Sequence, residues 1–294
     1  MKLEDHIKDM KEDMKNLILE LSKCGSAISH GFVSRQGSAE TKNVYGETQV
    51  KMDTWSDEYI INRVRATGTA RYLSSEEQAN ILEFENSHTD LGIVMDPLDG
   101  SSLIGVNLSV GTIIGIYKGN VMQPGKNMVG ALYIIYGPLT TLTYTVGKGV
   151  HEFVLDENDD FILQKENIKI PEGKIYAPGA LRKDYLDIHK RYVEELEENG
   201  YKLRYSGSYV ADVHQILHKG GVFMYPAYKG KENGKLRLLF EANPMGFIVS
   251  QAGGRISDGY QDILSIKPDE IAQRIPIYIG GKREIELIEK MNSE

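Results

Sequence analysis

The sequence predicts a layered α/β fold, an α+β sandwich of helix and sheet layers, and three observations point to it. From Gly92 onward, short β-rich runs (Ile93–Met95, Val110–Tyr117, Met128–Tyr136 and Thr140–Val146) are separated by Gly, Pro and Asn, the pattern of a sheet with tight connections. The second half alternates strand-like and helix-like stretches, as when helices pack on a sheet. The 294 residues, 41% hydrophobic and 26% charged, suffice for a real core, since a chain of about 300 residues buries about 75% of its unfolded surface.

In chain order, residues 5–24 carry Ile7, Met10, Met14, Leu17, Ile18 and Leu21 at helical spacing, which predicts an amphipathic helix. The polar stretch Gly37–Gly46 is expected to be a loop. Thr54–Ala66 is the next expected helix, opened by Thr54 or Ser56, lined by Ile60, Ile61 and Val64 and stopped by Gly68. A short strand follows at Ala70–Leu73. The acidic segment Asp156–Glu172 is either a boundary between two halves, 1–160 and 161–294, or the edge of a long hairpin, and the residues leave both open. Beyond it, Lys174–Tyr176 is expected as a strand and Lys183–Glu198 as a charged surface helix ended by Gly200. Ser208 can cap a helix carrying Val210, Val213, Ile216 and Leu217 that Gly220-Gly221 terminates. Val222–Tyr225 and Leu236–Leu239 are expected strands, and Ala242–Ala252 a helix stopped by Gly253-Gly254.

The formal net charge of −8, from 42 acidic and 34 basic residues, argues against a nucleic-acid partner, which normally meets a basic excess. Cys24 is the single cysteine, so no intrachain disulfide is possible. The segment Met1–Cys24 has scattered charges and no apolar signal core. No stretch approaches the ~20 apolar residues of a membrane span. A cytoplasmic protein with no membrane association is the expectation.

The sharpest chemical feature is Asp96-Pro97-Leu98-Asp99-Gly100-Ser101-Ser102, directly after Ile93-Val94-Met95. Pro97 disfavours helix at Asp96 and removes a donor, so nearby carbonyls can turn toward a cation. Carboxylate and carbonyl oxygens are the ligands magnesium takes. Gly100, Ser101 and Ser102 then offer N–H groups and hydroxyls with little bulk, as a phosphate cradle does. The competing reading is an Asp-Pro turn before a Ser-capped helix. Further acids occur at Ser75-Glu76-Glu77, at Glu241 and at Asp53. Singly, each has an ordinary explanation: solvated acids, a helix N-terminal acid, or an N-terminal cap.

Together these segments resemble class I fructose-1,6-bisphosphatases, within the lithium-sensitive, metal-dependent phosphatases. The resemblance runs from Gly46 to Gly254. It is carried by Gln49-Val50-Lys51-Met52-Asp53, Ser75-Glu76-Glu77, Asp96–Ser102, Gly111–Tyr117, Arg204-Tyr205, Val210–His214, Tyr225-Pro226 and Asn233–Glu241. It implies the sugar-phosphatase, inositol-monophosphatase-like fold and magnesium-dependent hydrolysis of the 1-phosphate of fructose 1,6-bisphosphate in gluconeogenesis or a sugar-phosphate cycle. It further implies that Glu76, Glu77, Asp96, Asp99, Glu241 and the Leu98 carbonyl hold two or more magnesium ions, with manganese as a substitute. Asp53 and Glu77 would orient and deprotonate a metal-activated water. Asp99, Gly100, Ser101, Ser102 and Arg237 would hold the 1-phosphate, and Tyr205, Tyr225 and Lys235 the sugar and distal phosphate. Arg204 would reach a neighbouring subunit's site, implying a homodimer or homotetramer.

Some segments lean toward sedoheptulose-1,7-bisphosphatase: Ala177–Arg182, Ile135–Thr141 and His151-Glu152-Phe153. Near Pro178-Gly179 an expected phosphate-binding Asn is absent, and a backbone N–H of Gly179 or Ala180 is a conceivable substitute. That leaves a sedoheptulose-1,7-bisphosphatase or a dual bisphosphatase as alternatives. Asp90-Leu91 stand where animal-type enzymes bind AMP, so no strong AMP inhibition through that site and no thiol switch are expected. An inositol-monophosphate or nucleotide phosphatase is opposed by Lys235, Arg237, Tyr205 and Tyr225, which suit a second anion. A non-catalytic phosphosugar sensor is opposed by the intact set of acids. The seven histidines show no His-Glu-x-x-His spacing and are expected to be surface or satisfied core groups.

Overall fold

The computed structural model describes the backbone of residues 1–35, 38–42 and 48–294, and side chains of 1–35 and 51–294. Gly37 and residues 43–47 of the expected loop lie outside the described residues, as do Gly46 and the side chains of Gln49 and Val50. Residues 38–42 are not loop but strand.

Helices α1 (Leu3–His6) and α2 (Glu12–Gly31) precede a small hairpin, β1 (Ser38–Lys42) and β2 (Thr48–Val50), and helix α3 (Lys51–Thr67). Strands β3 (Tyr72–Ser75), β4 (Leu82–Glu83), β5 (Leu91–Asp99), β6 (Val110–Lys118), β7 (Met128–Tyr136), β8 (Thr140–Thr145), β9 (His151–Leu155) and β10 (Phe161–Lys165) follow. They make one eight-stranded sheet in the order β10-β9-β8-β7-β6-β5-β3-β4. It is antiparallel except where β3 lies parallel to β5. Next come β11 (Ile175–Pro178), α4 (Asp187–Glu198), β12 (Lys202–Leu203), α5 (Tyr209–Lys219), β13 (Val222–Tyr225), α6 (Asn243–Gln251), β14 (Arg255–Ser257), β15 (Ile277–Gly280) and α7 (Lys282–Ser293). Their strands form a mixed five-stranded sheet, β12-β11-β13-β15-β14.

Side-chain alternation along the strands sorts residues into layers. Ile93, Met95, Ile114, Ile116, Leu132 and Ile134 face α2 and α3, packing on Leu17, Leu21, Ile60 and Val64. The opposite face, with Val94, Ile113, Ala131 and Tyr133, packs with Val210, Val213, Ile248 and Val249 of α5 and α6 and with Phe223, Ile277 and Ile279 of the second sheet. The far side of that sheet, Val222, Met224 and Tyr278, packs on Tyr192, Val193, Leu196, Ile285 and Ile288 of α4 and α7. The order is helix, sheet, helix, sheet, helix. A sheet buried on both faces is mainly apolar, and β5 is buried at all nine positions, with Asp96 and Asp99 the charged exceptions at its end.

Several boundaries differ from the sequence expectation. The helix expected over 5–24 is two helices, and the second runs on to Gly31. The third begins at Lys51, before Thr54 and Ser56. Within Asp156–Glu172, β10 pairs back on β9 as a hairpin, and the remainder leads to the second sheet. Leu236–Leu239 is not a strand: Arg237 makes only an isolated bridge with Arg274, and Leu238–Ala242 winds into a π-helical turn running into α6. Cys24 is buried in the α2 layer, where burial pushes its thiol up to about 12, far from a reactive thiolate. Among the described residues no helix is long and apolar enough to cross a membrane.

Candidate active site

The end of β5 builds the first wall. Asp96 pairs with Ile113 and Asp99 with Gly111, and the register shifts between them, a bulge with Pro97 inside it. Proline fits there because a bulge leaves a residue out of the ladder. The freed groups are satisfied locally: Leu98 N donates to Asp96 Oδ1 at 2.9 Å, and Thr112 Oγ1 donates to the Pro97 carbonyl at 2.9 Å. The bulge turns both Asp96 and Asp99 into the site. Asp99 is fixed from across the cleft, where Ser208 Oγ donates to its Oδ2 at 2.7 Å and Val210 N at 2.9 Å. The carboxylate therefore sits at the N-terminus of α5, where the helix dipole favours an anion.

Gly100 follows with φ 78°, and a Cβ there would lie 2.8 Å from Ser208 Cβ. Both facts require glycine. Ser101 opens a short 3₁₀ turn, Ser101–Val106, without acting as its cap, so the Ser-capped helix reading fails and the two hydroxyl residues face the cleft.

The remaining acids arrive from three other elements. Asp53 is buried in the first turn of α3. Glu76 and Glu77 follow β3, whose Ser75 pairs with Met95 of β5; Glu76 N donates to the Met95 carbonyl at 3.0 Å. Buried Asp57, one turn beyond Asp53, anchors this corner by accepting from Ser75 Oγ at 2.5 Å. Glu241 lies in the π-helical turn, and its Oε2 accepts from Arg237 N at 2.5 Å.

Oxygen atoms of Asp96, Asp99 and Glu241 lie within 4.8 Å of one another. Burial, then the charges of Glu76, Asp99 and Glu241, holds the Asp96 carboxyl well above the usual range. Burial, followed by Glu76 and Asp99, does the same to Glu241. Asp99 is pushed up to about 6, chiefly by burial and against its hydrogen bonds from Val210 and Ser208. Buried like charges this close are costly without a cation among them. An all-oxygen donor set of this kind fits a hard divalent ion such as magnesium.

A cavity of about 340 Å³ collects these groups. Asp53, Glu76, Glu77, Asp96, Asp99, Glu241 and Leu98 line it together with Gly100, Ser101 and Ser102 and with Tyr205, Tyr225 and Lys235. Lys235 Nζ stands 5.6 Å from the centre of the Tyr225 ring, within cation–π range.

Two expected site residues are not on the lining. Arg237 is wholly buried behind it, its Nε 3.4 Å from Glu76 Oε1. Arg204 is exposed and is not among the lining residues, although its neighbour Tyr205 is. The conjectured phosphate contact at Gly179 or Ala180 is also displaced. Gly179 N donates to the Met224 carbonyl at 2.7 Å, and the Ala180 backbone bonds the Tyr225 hydroxyl. Gly207, Tyr209, Phe223 and Leu236 also line the cavity, and the sequence reading missed them. It recognised Ser208 as a cap but not as a partner of Asp99. Asp57 had a visible signal, an acid four residues after Asp53.

The clustered acids beside a glycine-serine cradle, in this layered fold, define a phosphoric monoester hydrolase. Residues 3–166 match the family model described as fructose-1-6-bisphosphatase, N-terminal domain, and residues 170–293 match the corresponding C-terminal domain. The chain is 50% identical over 281 residues to a "Fructose-1,6-bisphosphatase class 1" of Methanospirillum hungatei, covering 95% of this chain and 90% of that one. A protein of the same name from Citrifermentans bemidjiense is 50% identical over 279 residues, with 93% and 86% covered. The crystal structure of Leishmania major fructose-1,6-bisphosphatase in holo form superposes with a TM-score of 0.94 at 31% identity, covering 100% of this chain and 99% of that one. The chain belongs to the class 1 fructose-1,6-bisphosphatase family. The segments that leaned toward sedoheptulose-1,7-bisphosphatase find no support among these relatives.

Proposed function

We propose that this chain hydrolyses fructose 1,6-bisphosphate to fructose 6-phosphate and inorganic phosphate, as a cytoplasmic enzyme of gluconeogenesis. The observation that carries the reading is one cavity lined both by six carboxylates and by Lys235, Tyr205 and Tyr225. A bisphosphate offers one anion to the metal-binding acids and a second to Lys235.

Glu76, Glu77, Asp96, Asp99, Glu241 and the Leu98 carbonyl would hold two or more magnesium ions, or manganese in their place. When bound, such cations offset the charge of the phosphoryl oxygens and make water easier to deprotonate. Asp53 and Glu77 orient the attacking water and accept its proton on a carboxylate oxygen. Ser101 and Ser102 donate hydroxyls, and Gly100 its N–H, to the 1-phosphate. Arg237 acts from behind, steadying Glu76 and adding positive charge. Tyr205 and Tyr225 flank the sugar, and Lys235 meets the distal phosphate. In this reading residues 1–160 supply the metal and 1-phosphate groups and residues 161–294 the sugar and distal-phosphate groups. Arg204, exposed in one chain, completes the site of a neighbouring copy in a homodimer or homotetramer.

The test is phosphate release from fructose 1,6-bisphosphate, sedoheptulose 1,7-bisphosphate and inositol monophosphate, each with magnesium and with chelator. Release from the fructose substrate that chelation abolishes is the expected result. Equal release without a divalent ion would overturn the assignment of the carboxylates, and a preference for inositol monophosphate the assignment of substrate.

A further inference from the structure

At the end of α5 away from Asp99 lies a cluster that the reaction does not use. His214 and His218 are four residues apart on α5 and share a face, and β9 presents Glu152 to them. His218 Nε2 is 2.7 Å from Glu152 Oε2, and His214 Nε2 is 3.8 Å from the same oxygen. One ligand atom from each of the three falls within 4.8 Å of the others. The surroundings fix these rings. The hydroxyl of wholly buried Tyr133 meets His214 Nδ1 at 2.9 Å, leaving Nε2 directed at Glu152. Burial lowers His214 to about 4. Glu152 is also held below its usual value, its histidine neighbours outweighing burial. The imidazole is thus neutral and the carboxylate ionised at neutral pH, the forms that bind metals.

We propose that Glu152, His214 and His218 form a second metal site, for a divalent transition ion of the zinc class, separate from the carboxylate cavity and clamping α5 to β9. A mixed nitrogen and oxygen set suits zinc, which takes three protein ligands and a water in tetrahedral geometry. Ligand bonds of about 2.05 Å place tetrahedral neighbours about 3.4 Å apart. The two imidazole–carboxylate distances, 2.7 and 3.8 Å, straddle that spacing. A hydrogen-bonded pair alone would need only His218. His214 is aimed at the same oxygen from beyond hydrogen-bond range, a position that a shared ion explains.

Exposed Lys165 puts its Nζ 3.2 Å from His218 Nδ1. An ammonium can only donate there, so the ring proton sits on Nε2 and points at Glu152. Ligation through Nε2 moves that proton to Nδ1 and drives Lys165 away. Lys165 is therefore a competitor of the ion.

The experiment is a cobalt(II) titration of the whole, magnesium-saturated protein, followed by visible absorption. Tetrahedral cobalt absorbs intensely, whereas an octahedral oxygen site absorbs weakly, so the two sites are told apart. The expected result is one intensely absorbing ion per chain, at least about tenfold weaker binding in His218→Gln, and severalfold tighter binding in Lys165→Gln. Both variants should keep their magnesium-dependent phosphate release. Absence of the intense band, its persistence in His218→Gln, or unchanged affinity in Lys165→Gln would each overturn the proposal.

Discussion

The two ends of α5 hold acids in contrasting ways. At the N-terminal end Asp99 is gripped by the helix itself, through Ser208 Oγ and Val210 N, among other carboxylates whose charges repel it. At the C-terminal end Glu152 is held by His218 at 2.7 Å, with His214 3.8 Å from the same oxygen. At the first end burial and neighbouring acids hold Asp96 and Glu241 well above the usual carboxylate range, while at the second the histidine neighbours outweigh burial and hold Glu152 below it. The difference teaches how far each end depends on a ligand: buried acids that repel one another need a cation, while the histidine-glutamate cluster persists without an ion and gains a clamp when it binds one.

The largest expected effect separates the two ends by activity. Asp53→Ala and Glu77→Gln remove a proton acceptor, and kcat should fall by about 10²–10⁴-fold at saturating magnesium. His218→Gln should leave kcat for fructose 1,6-bisphosphate near the unmodified value. Steady-state phosphate release measures both, and full turnover in Asp53→Ala would remove Asp53 from the reaction.

Next in size is the cost of the acidic end in the absence of metal. Asp96 is buried among Glu76, Asp99 and Glu241, so Asp96→Asn removes a repelling charge while an amide oxygen can still accept from Leu98 N. In chelator the variant should melt several degrees above the unmodified chain, although it is inactive with magnesium. Magnesium should raise the melting temperature of the unmodified chain more than that of the variant. A metal-free variant that melts lower would mean that the acids are better balanced than their burial implies.

These contrasts also mark what could be foreseen from the residues. The acids were legible because each stands in a short local signal: Asp96 and Asp99 around Pro97, Glu76-Glu77 after a strand, Asp53 at a helix start. Their convergence was legible only through resemblance, since nothing local brings Glu241 to Asp96. The apolar run Leu236–Leu239 read as a strand because a fully buried turn and a buried strand have the same composition; the π-helical turn there is set by tertiary packing. Arg237 was assigned to the phosphate by its motif, and its burial behind Glu76 is a matter of layers. His214 and His218 read as surface or core groups because their partner, Glu152, comes from a sheet strand more than sixty residues earlier in the chain.

A smaller effect probes the grip on Asp99 directly. Ser208 both caps α5, accepting from Ala211 N, and donates to Asp99. Ser208→Ala should cost about 1 kcal/mol of stability as a lost cap. The magnesium concentration for half-activation should rise, because Asp99 loses a donor that keeps it ionised. Chemical denaturation reads the first and activity against magnesium the second. A loss of stability with unchanged magnesium response would confine Ser208 to capping.

The effect that is smallest at neutral pH lies at the other end, emerges only on acidification and has the opposite dependence on pH from a buried acid. His214 is held down to about 4, mainly by burial, against about 6.5 in an unfolded chain. Between those values the unfolded chain binds a proton at this position and the folded chain does not. Stability contributed by neutral His214 is complete above about pH 6.5 and is lost as pH falls toward 4. His189, buried against Tyr278 and held down to about 3, adds a second slope of the same sign. His214→Gln should therefore flatten the acid side of the stability curve by up to one proton and leave the slope due to His189. Urea unfolding at a series of pH values measures it. An unchanged slope in His214→Gln would mean that His214 takes up its proton without unfolding, with Glu152 at hand to receive the charge.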